Sequence, residues 1–377
     1  MTSTILTLAL AALVVLGCSS AEDAAQPLAT VPQSRIDKLA KGANICRWFR
    51  FPAAETEEHF KNYVTDEEAT LLRSIGLTHV RLCVAPKHLF DAKTAKIDPK
   101  MLAHVDAAIA KFHKAGLAVV LDIHNEDRAG LENDKEWQEG FLKTWTQLAA
   151  HYRNVNPELL ILEIVNEPVF DGKEDQWFAL QERLVAAIRK EAPNHTIMAS
   201  GPNWGGIYGL GKLKPVADRN VVYSFHCYDP FAFTHQGATW SSNNVKPLRN
   251  VPYPSSPEAV APLIAQLQAE DAKALLRQYG EERWDRKRME QNFAKAIDWG
   301  KQHGVPLYCG EFGVFPPFTK PEHRAAWFRD FGGVLSENKV GWAVWGWDEG
   351  FGLARQKKDG KIQYDGVVAE ALGLKKQ

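Results

Sequence analysis

Cysteine is scarce in this chain and poorly spaced for holding a metal. Only 5 of its 377 residues are cysteine. Beyond Cys18 they are Cys46, Cys83, Cys227 and Cys309, far apart and without a C-x-x-C pair, which argues against a structural zinc site. Each falls in or beside a stretch that reads as strand, where a free thiol packs as a small hydrophobe. A surplus of charge of either sign is also missing: 45 Lys+Arg against 46 Asp+Glu leave a formal net charge of -1. That balance gives no electrostatic reason to expect nucleic acid or an anionic membrane as partner. No Gly-x-Gly-x-x-Gly follows an apolar run and no P-loop sequence occurs, so the nucleotide-binding folds lack their signature. No His-x-His pair is present, which counts against a metal-dependent barrel hydrolase.

What is present describes an ordinary globular enzyme or binding protein, with 45% hydrophobic and 24% charged residues. The 12 tryptophans exceed an average composition and suit a cleft that stacks flat apolar faces. Residues 1–18 stand apart. Ile5 to Gly17 is apolar and uncharged, too short to span a bilayer, and reads as the core of an export signal. Val15-Leu16-Gly17-Cys18 resembles a bacterial lipobox, which would make Cys18 a lipid anchor; plain cleavage after Ala21 is the alternative. Both imply export to the periplasm, the cell surface or the medium. Residues 19–36, rich in Ala, Pro, Gln and acids, read as a tether, leaving 37–377 as one catalytic domain, expected to be monomeric.

From residue 36 onward short apolar runs alternate with amphipathic stretches. Strands are expected near 42–46, 79–84, 118–123, 160–165, 196–199, 221–226, 307–310 and 341–345. Helical periodicity fills the intervals, as in Leu102, Val105, Ile109 and Phe112 after Asp98-Pro99. The segments after the fifth and eighth strands look short. Eight such units predict a parallel α/β fold, and at this length a closed (β/α)8 barrel over an open doubly wound sheet. One long interruption, 229–286 after strand six, carries Phe231, Phe233 and Trp240 and one helix within 259–279. Insertions of this length commonly serve a function, here walling a cleft or simply capping the barrel.

Polar residues gather at the C-terminal ends of the predicted strands: Arg81, His124, Asn166, Glu167, His226, Tyr228, Glu311 and Trp345. In a barrel those ends converge on one mouth. Glu167 and Glu311 end strands four and seven, across the mouth from each other. Two carboxyls facing a scissile bond are what glycoside hydrolysis requires, one to protonate the leaving oxygen and one to act at the anomeric carbon. Arg81 and Tyr228 are expected beside Glu311, His226 beside Glu167, and Asn166 near a sugar 2-hydroxyl. Trp48, Trp204, Trp240 and Trp347 are candidates for stacking on pyranose faces.

This set, from Lys41-Gly-Ala-Asn44 through Asn166-Glu167-Pro168, His226-x-Tyr228 and Gly310-Glu311-Phe-Gly313 to Trp345, resembles glycoside hydrolase family 5 of clan A. The resemblance implies a retaining double displacement with Glu167 as acid/base and Glu311 as nucleophile, and no metal or organic cofactor. It also implies that Arg81, His124, Asn166, His226, Tyr228 and Trp345 line the subsite at the cleavage point. The expected substrate is a β-linked polysaccharide or oligosaccharide, foremost a β-1,4-glucan cut internally, with β-mannan, another β-glucan or exo attack as alternatives. A non-catalytic carbohydrate-binding barrel would be expected to lack one carboxylate, and both are present.

Overall fold

In the computed structural model, which describes residues 30–359 and 361–375, eight parallel strands close into a barrel. They are β1 (Lys41–Phe49), β2 (His79–Val84), β3 (Ala118–Ile123), β4 (Leu160–Glu163), β5 (Thr196–Ser200), β6 (Val221–His226), β7 (Leu307–Glu311) and β8 (Gly341–Val344). β8 pairs with both β7 and β1, so the barrel has no free edge. A helix follows each strand: α1 (Asp66–Ser74), α2 (Pro99–Lys114), α3 (Lys135–Tyr152), α4 (Glu174–Glu191), α5 (Ile207–Lys212), α6 (Arg286–His303), α7 (Pro321–Glu337) and α8 (Gly366–Ala371). The fold is the expected (β/α)8 barrel, and α5 and α8 are indeed short, at 6 residues each.

Local chemistry sets the helix starts. The side chains of Thr65, Asp98, Asp134 and Asp285 accept hydrogen bonds from first-turn N–H groups of α1, α2, α3 and α6. Each such cap contributes about 1 kcal/mol. Gly304 ends α6 with φ 61, a left-handed conformation natural to glycine.

Alternate residues of each strand point into the barrel, and their character changes along its axis. Val120, Ile161, Met198, Val222, Tyr308 and Ala343 pack together near the N-terminal end, closed below by Leu39 and Val31. Two residues further on stand Asp122, Glu163, Ser200, Ser224, Gly310 and Trp345. The barrel is therefore apolar at its base and polar beneath its mouth, which is the arrangement a catalytic floor needs.

Two boundaries differ from expectation. Gln33–Lys38 is a helix, and its Arg35 donates to Asn194 O at 2.6 Å, Thr196 Oγ1 at 3.0 Å and Glu158 Oε1 at 2.9 Å. Residues 33–36 thus belong to the barrel's base rather than to a tether over 19–36. The expected export signal, with Cys18, lies outside the described residues. The insertion after β6 holds three helices, Phe231–Thr234, Pro257–Gln266 and Glu270–Glu281, so the one helix expected within 259–279 is two. No helix among the described residues is long and apolar enough to cross a membrane.

Candidate active site

Arg81, on β2, is wholly buried, and the polar floor is built around it. Its Nε and Nη2 donate to Glu163 Oε2 at 2.6 Å and Oε1 at 2.9 Å, a bidentate pair. Nη1 donates to Glu311 Oε1 and to Asn44 Oδ1, both at 2.9 Å. Nη2 donates also to Asn166 Oδ1 at 2.9 Å and lies 3.1 Å from Asp122 Oδ2. One guanidinium thus faces three carboxylates. Burial pushes Glu163 up to about 7 and Asp122 up to about 6, with the Arg81 charge opposing the rise in both. The expectation that Arg81 lines the subsite needs correcting. It lies under the subsite with no exposed surface, and can act on a substrate only through the groups it holds. Asp122 and Glu163 were not among the site residues expected from the sequence, and Asn44 entered only as the end of the Lys41-Gly-Ala-Asn44 motif.

Above this floor stand Glu167 and Glu311. Glu167 follows β4 with φ 36, a left-handed conformation uncommon for a non-glycine residue, and the next loop pins its surroundings. Asn203 N donates to Val169 O at 2.8 Å and Trp204 N to Pro168 O at 3.1 Å. His226 Nδ1 is 2.9 Å from Glu167 Oε1 and 3.6 Å from Glu311 Oε2. Tyr228 OH donates to Glu311 Oε2 at 3.1 Å. One oxygen from each carboxylate and a nitrogen of His226 lie within 4.8 Å of one another. Burial disfavours charge on His226, yet the Glu311 charge and the bond to Glu167 outweigh it and raise its pKa above the ordinary histidine value. Gly310 permits this packing, because a Cβ there would lie 2.8 Å from both His226 Nε2 and Ser224 Oγ.

His124 is held by Asp122 Oδ2, 2.7 Å from Nδ1, and stacks on Trp345 with ring centroids 5.6 Å apart. Burial, reinforced by Arg50, holds its pKa well below the usual histidine range. The ring is therefore neutral; with Nδ1–H donated to Asp122, Nε2 is left as an acceptor. Arg81 takes up Asn166 Oδ1, which leaves the Asn166 amide NH2 available to a ligand.

These groups open into a cleft of about 770 Å³, of the size small-ligand sites have. Its wall includes Trp345, Trp204, Trp240, Phe51, Phe231, His235, Phe351, Arg50, Glu126, Arg128 and Glu349. Trp204 and Trp240, both lining the cleft, are 49% and 63% exposed. The start of the 229–286 insertion reaches the cleft through Phe231, His235, Trp240 and Ser241. Its Phe233 is buried in the core.

Trp48 is not at the cleft. It is buried against Phe49, Phe60 and Phe112, and its Nε1 donates to Phe60 O at 2.9 Å. The register of β1 against β2 shifts between Ile45 and Phe49, which turns Trp48 away from the mouth toward the helices. Trp347 is likewise core, donating to Glu68 Oε1 at 2.7 Å. Asp348 accepts from Cys46 N and Arg47 N at 2.9 and 3.0 Å, a structural turn, whereas Glu349 reaches the cleft. All four described cysteines are free and buried.

Two donor sets are compact enough for a cation: Cys83, Asp122 and His124, and Glu167, His226 and Glu311. In each, a carboxylate already faces the Arg81 guanidinium, Asp122 at 3.1 Å and Glu311 at 2.9 Å. A divalent ion would have to enter against that fixed positive charge. The chemistry of the donor sets therefore fits protonation and nucleophilic attack better than metal ligation.

This geometry agrees with what the chain is similar to. The family model for cellulase (glycosyl hydrolase family 5) matches residues 40–350. Endoglucanase C of Acetivibrio thermocellus is 28% identical over 313 residues, covering 81% of this chain and 90% of the relative. Cellodextrinase A of Ruminococcus flavefaciens is 25% identical, covering 80% and 83%. The crystal structure of endoglucanase Cel5A from Thermotoga maritima superposes with a TM-score of 0.73 at 28% identity, covering 91% of this chain and 100% of that one. With the family model spanning every barrel strand and both carboxylates, this chain belongs to glycosyl hydrolase family 5 and is a glycoside hydrolase.

Proposed function

We propose that the enzyme is a retaining endo-β-1,4-glucanase of the cellulase type, with Glu311 as nucleophile and Glu167 as acid/base. The observation that carries the reading is the approach of the two carboxylates, with oxygens within 4.8 Å. Retaining enzymes hold the two carboxyls about 5–5.5 Å apart, whereas inverting ones need roughly 6.5–9.5 Å to admit a water. Glu311, fixed by Arg81 and Tyr228, attacks the anomeric carbon as the glycosidic C–O bond breaks. Glu167 gives its proton to the departing oxygen, and a glycosyl ester forms on Glu311. Glu167, now a base, takes a proton from water, whose oxygen attacks the same carbon and frees Glu311. The proton taken from water returns Glu167 to its acid form, and His226, 2.9 Å from Oε1, orients the carboxyl through both steps. The Asn166 amide meets the sugar 2-hydroxyl.

Internal attack is supported by the exposed Trp204 and Trp240, two rings of the cleft on which further sugars of a chain can stack. A β-mannan substrate is the second reading. Thermotoga maritima Cel5A, a relative at 26–27% identity, has been crystallised both with cellobiose and with mannotriose. The N-terminal apolar segment supports export, by lipid attachment at Cys18 of Val15-Leu16-Gly17-Cys18 or by plain cleavage after Ala21.

Hydrolysis of barley β-glucan, carboxymethylcellulose and galactomannan, with Glu311→Gln alongside, tests these readings. The wild type should cut the first two faster than galactomannan, release products in the β configuration, and lose its activity in the variant. Initial products in the α configuration would refute retention, and chelator-sensitive activity that survives Glu311→Gln would refute the two-carboxylate mechanism.

A further inference from the structure

Two arginines reach the cleft, and their surroundings differ. Arg50 is neutralised: its Nε lies 2.8 Å from Glu126 Oε1 and its Nη1 3.9 Å from Glu349 Oε1. Arg128 is not. Its guanidinium lies over the Trp204 ring, 3.7 Å from the centroid. Among the described residues its ion partner is Glu167, at 3.8 Å, and its buried Nε makes no hydrogen bond. That partner is transient if Glu167 is the acid, because Glu167 must carry a proton when the glycosidic bond breaks. At that moment Arg128, whose side chain is 38% exposed, is a cation lining the cleft with no carboxylate of its own. The contact uses Glu167 Oε2, the oxygen that His226 leaves free.

An acid that protonates the leaving oxygen stands beside the leaving sugar, so Arg128 and Trp204 belong to that side of the cleavage point. Trp204, 49% exposed, offers an aromatic surface for a pyranose, with a planar five-donor fork stacked on its ring. We infer that Arg128 and Trp204 form a subsite on the leaving-group side that accepts a β-linked sugar bearing a carboxylate, that is, a uronic acid unit. The carboxylate supplies the counter-charge that Glu167 gives up on protonation, and a guanidinium matches it in bidentate geometry. This inference rests on the assignment of Glu167 as acid.

Cello-oligosaccharides partly oxidised at C6 to carboxylates provide the test, with product ends read by mass spectrometry. Cleavage makes the leaving-side sugar the new non-reducing end of one fragment. The wild type should place glucuronic acid at that end about tenfold more often than Arg128→Gln does, and added salt should weaken the bias. Arg128→Lys, which keeps the charge but not the fork, should retain part of it. Each bias is read as a ratio within one enzyme, so a partly unfolded variant still reports. If cellopentaose is hydrolysed but glucuronic acid is absent from new non-reducing ends, or equally frequent there in Arg128→Gln, the subsite is overturned alone. If cellopentaose is not hydrolysed, the glycanase reading falls and the subsite with it.

Discussion

Replacing Glu163 by Gln separates the two roles the floor assigns to this residue. Glu163 holds Arg81 bidentately, at 2.6 and 2.9 Å, and adds a negative charge to a site where one guanidinium already faces Asp122 and Glu311. Burial pushes its pKa up to about 7. The folded state therefore keeps the proton longer than the unfolded chain, whose glutamates titrate near about 4.3. Stability from this group is fully present below that value and is lost as pH rises to about 7. Between pH 5 and 8 the loss is roughly 3 kcal/mol, about two pKa units at 1.36 kcal/mol each. A domain of this size unfolds with an entropy of about 0.7 kcal/mol/K, so the melting temperature should fall by about 4 °C from this residue alone. Asp122, also raised by burial, and His226, raised by its carboxylates, push in the same direction. Glu163→Gln should thus flatten the pH dependence of melting without abolishing it. An amide also cannot accept from both Arg81 donors, so the clamp on Glu311 should loosen and kcat fall about tenfold or more with KM little changed. Circular dichroism melts at pH 5 and 8, with kinetics on β-glucan at the same pH values, measure both. A variant that keeps the full wild-type fall in melting temperature would refute the charge argument, and one that keeps wild-type kcat would refute the clamp.

The two tryptophans that parted company in the structure should behave oppositely. Trp48→Ala should cost about 3–5 kcal/mol of stability and leave KM of the surviving enzyme unchanged. Trp240→Ala should move stability by less than about 0.5 kcal/mol and raise KM for long oligosaccharides more than for short ones. Equal effects on melting, read by calorimetry, would contradict the burial difference. Gly310→Ala should push His226 away from Glu167, lowering kcat more than it raises KM; wild-type kinetics in that variant would show that the close packing of residues 226 and 310 has no catalytic consequence.

The barrel was legible because each strand is a short apolar run and its helix opens on a cap, both local signals. The mouth was legible for a related reason: polar residues at the ends of apolar runs have few roles other than pointing at a common site. The layer below was harder to read. Asp122 and Glu163 sit inside Val-Val-Leu-Asp-Ile and Leu-Ile-Leu-Glu-Ile, where neighbours on the helix-facing side make the run look uniformly apolar. The readable signal was a lone acid two residues beyond an inward apolar position, on two adjacent strands, with one arginine, Arg81, to face both. Trp48 was misread for the opposite reason. Strict alternation from Asn44 through Cys46 directs it inward, but the register shift after Ile45 breaks the alternation, and a bulge leaves no mark in composition. Arg128 lay outside any periodic pattern, at the start of a short helix, Arg128–Asn133, in the connection after β3. Its partners, Trp204 and Glu167, are 76 and 39 residues further along the chain, and the hydrogen bonds from Asn203 N and Trp204 N to Val169 O and Pro168 O hold those two partners together. The facing carboxylates Glu167 and Glu311 therefore follow from strand order, whereas the Arg128–Trp204 contact depends on packing between the connections after β3 and β5.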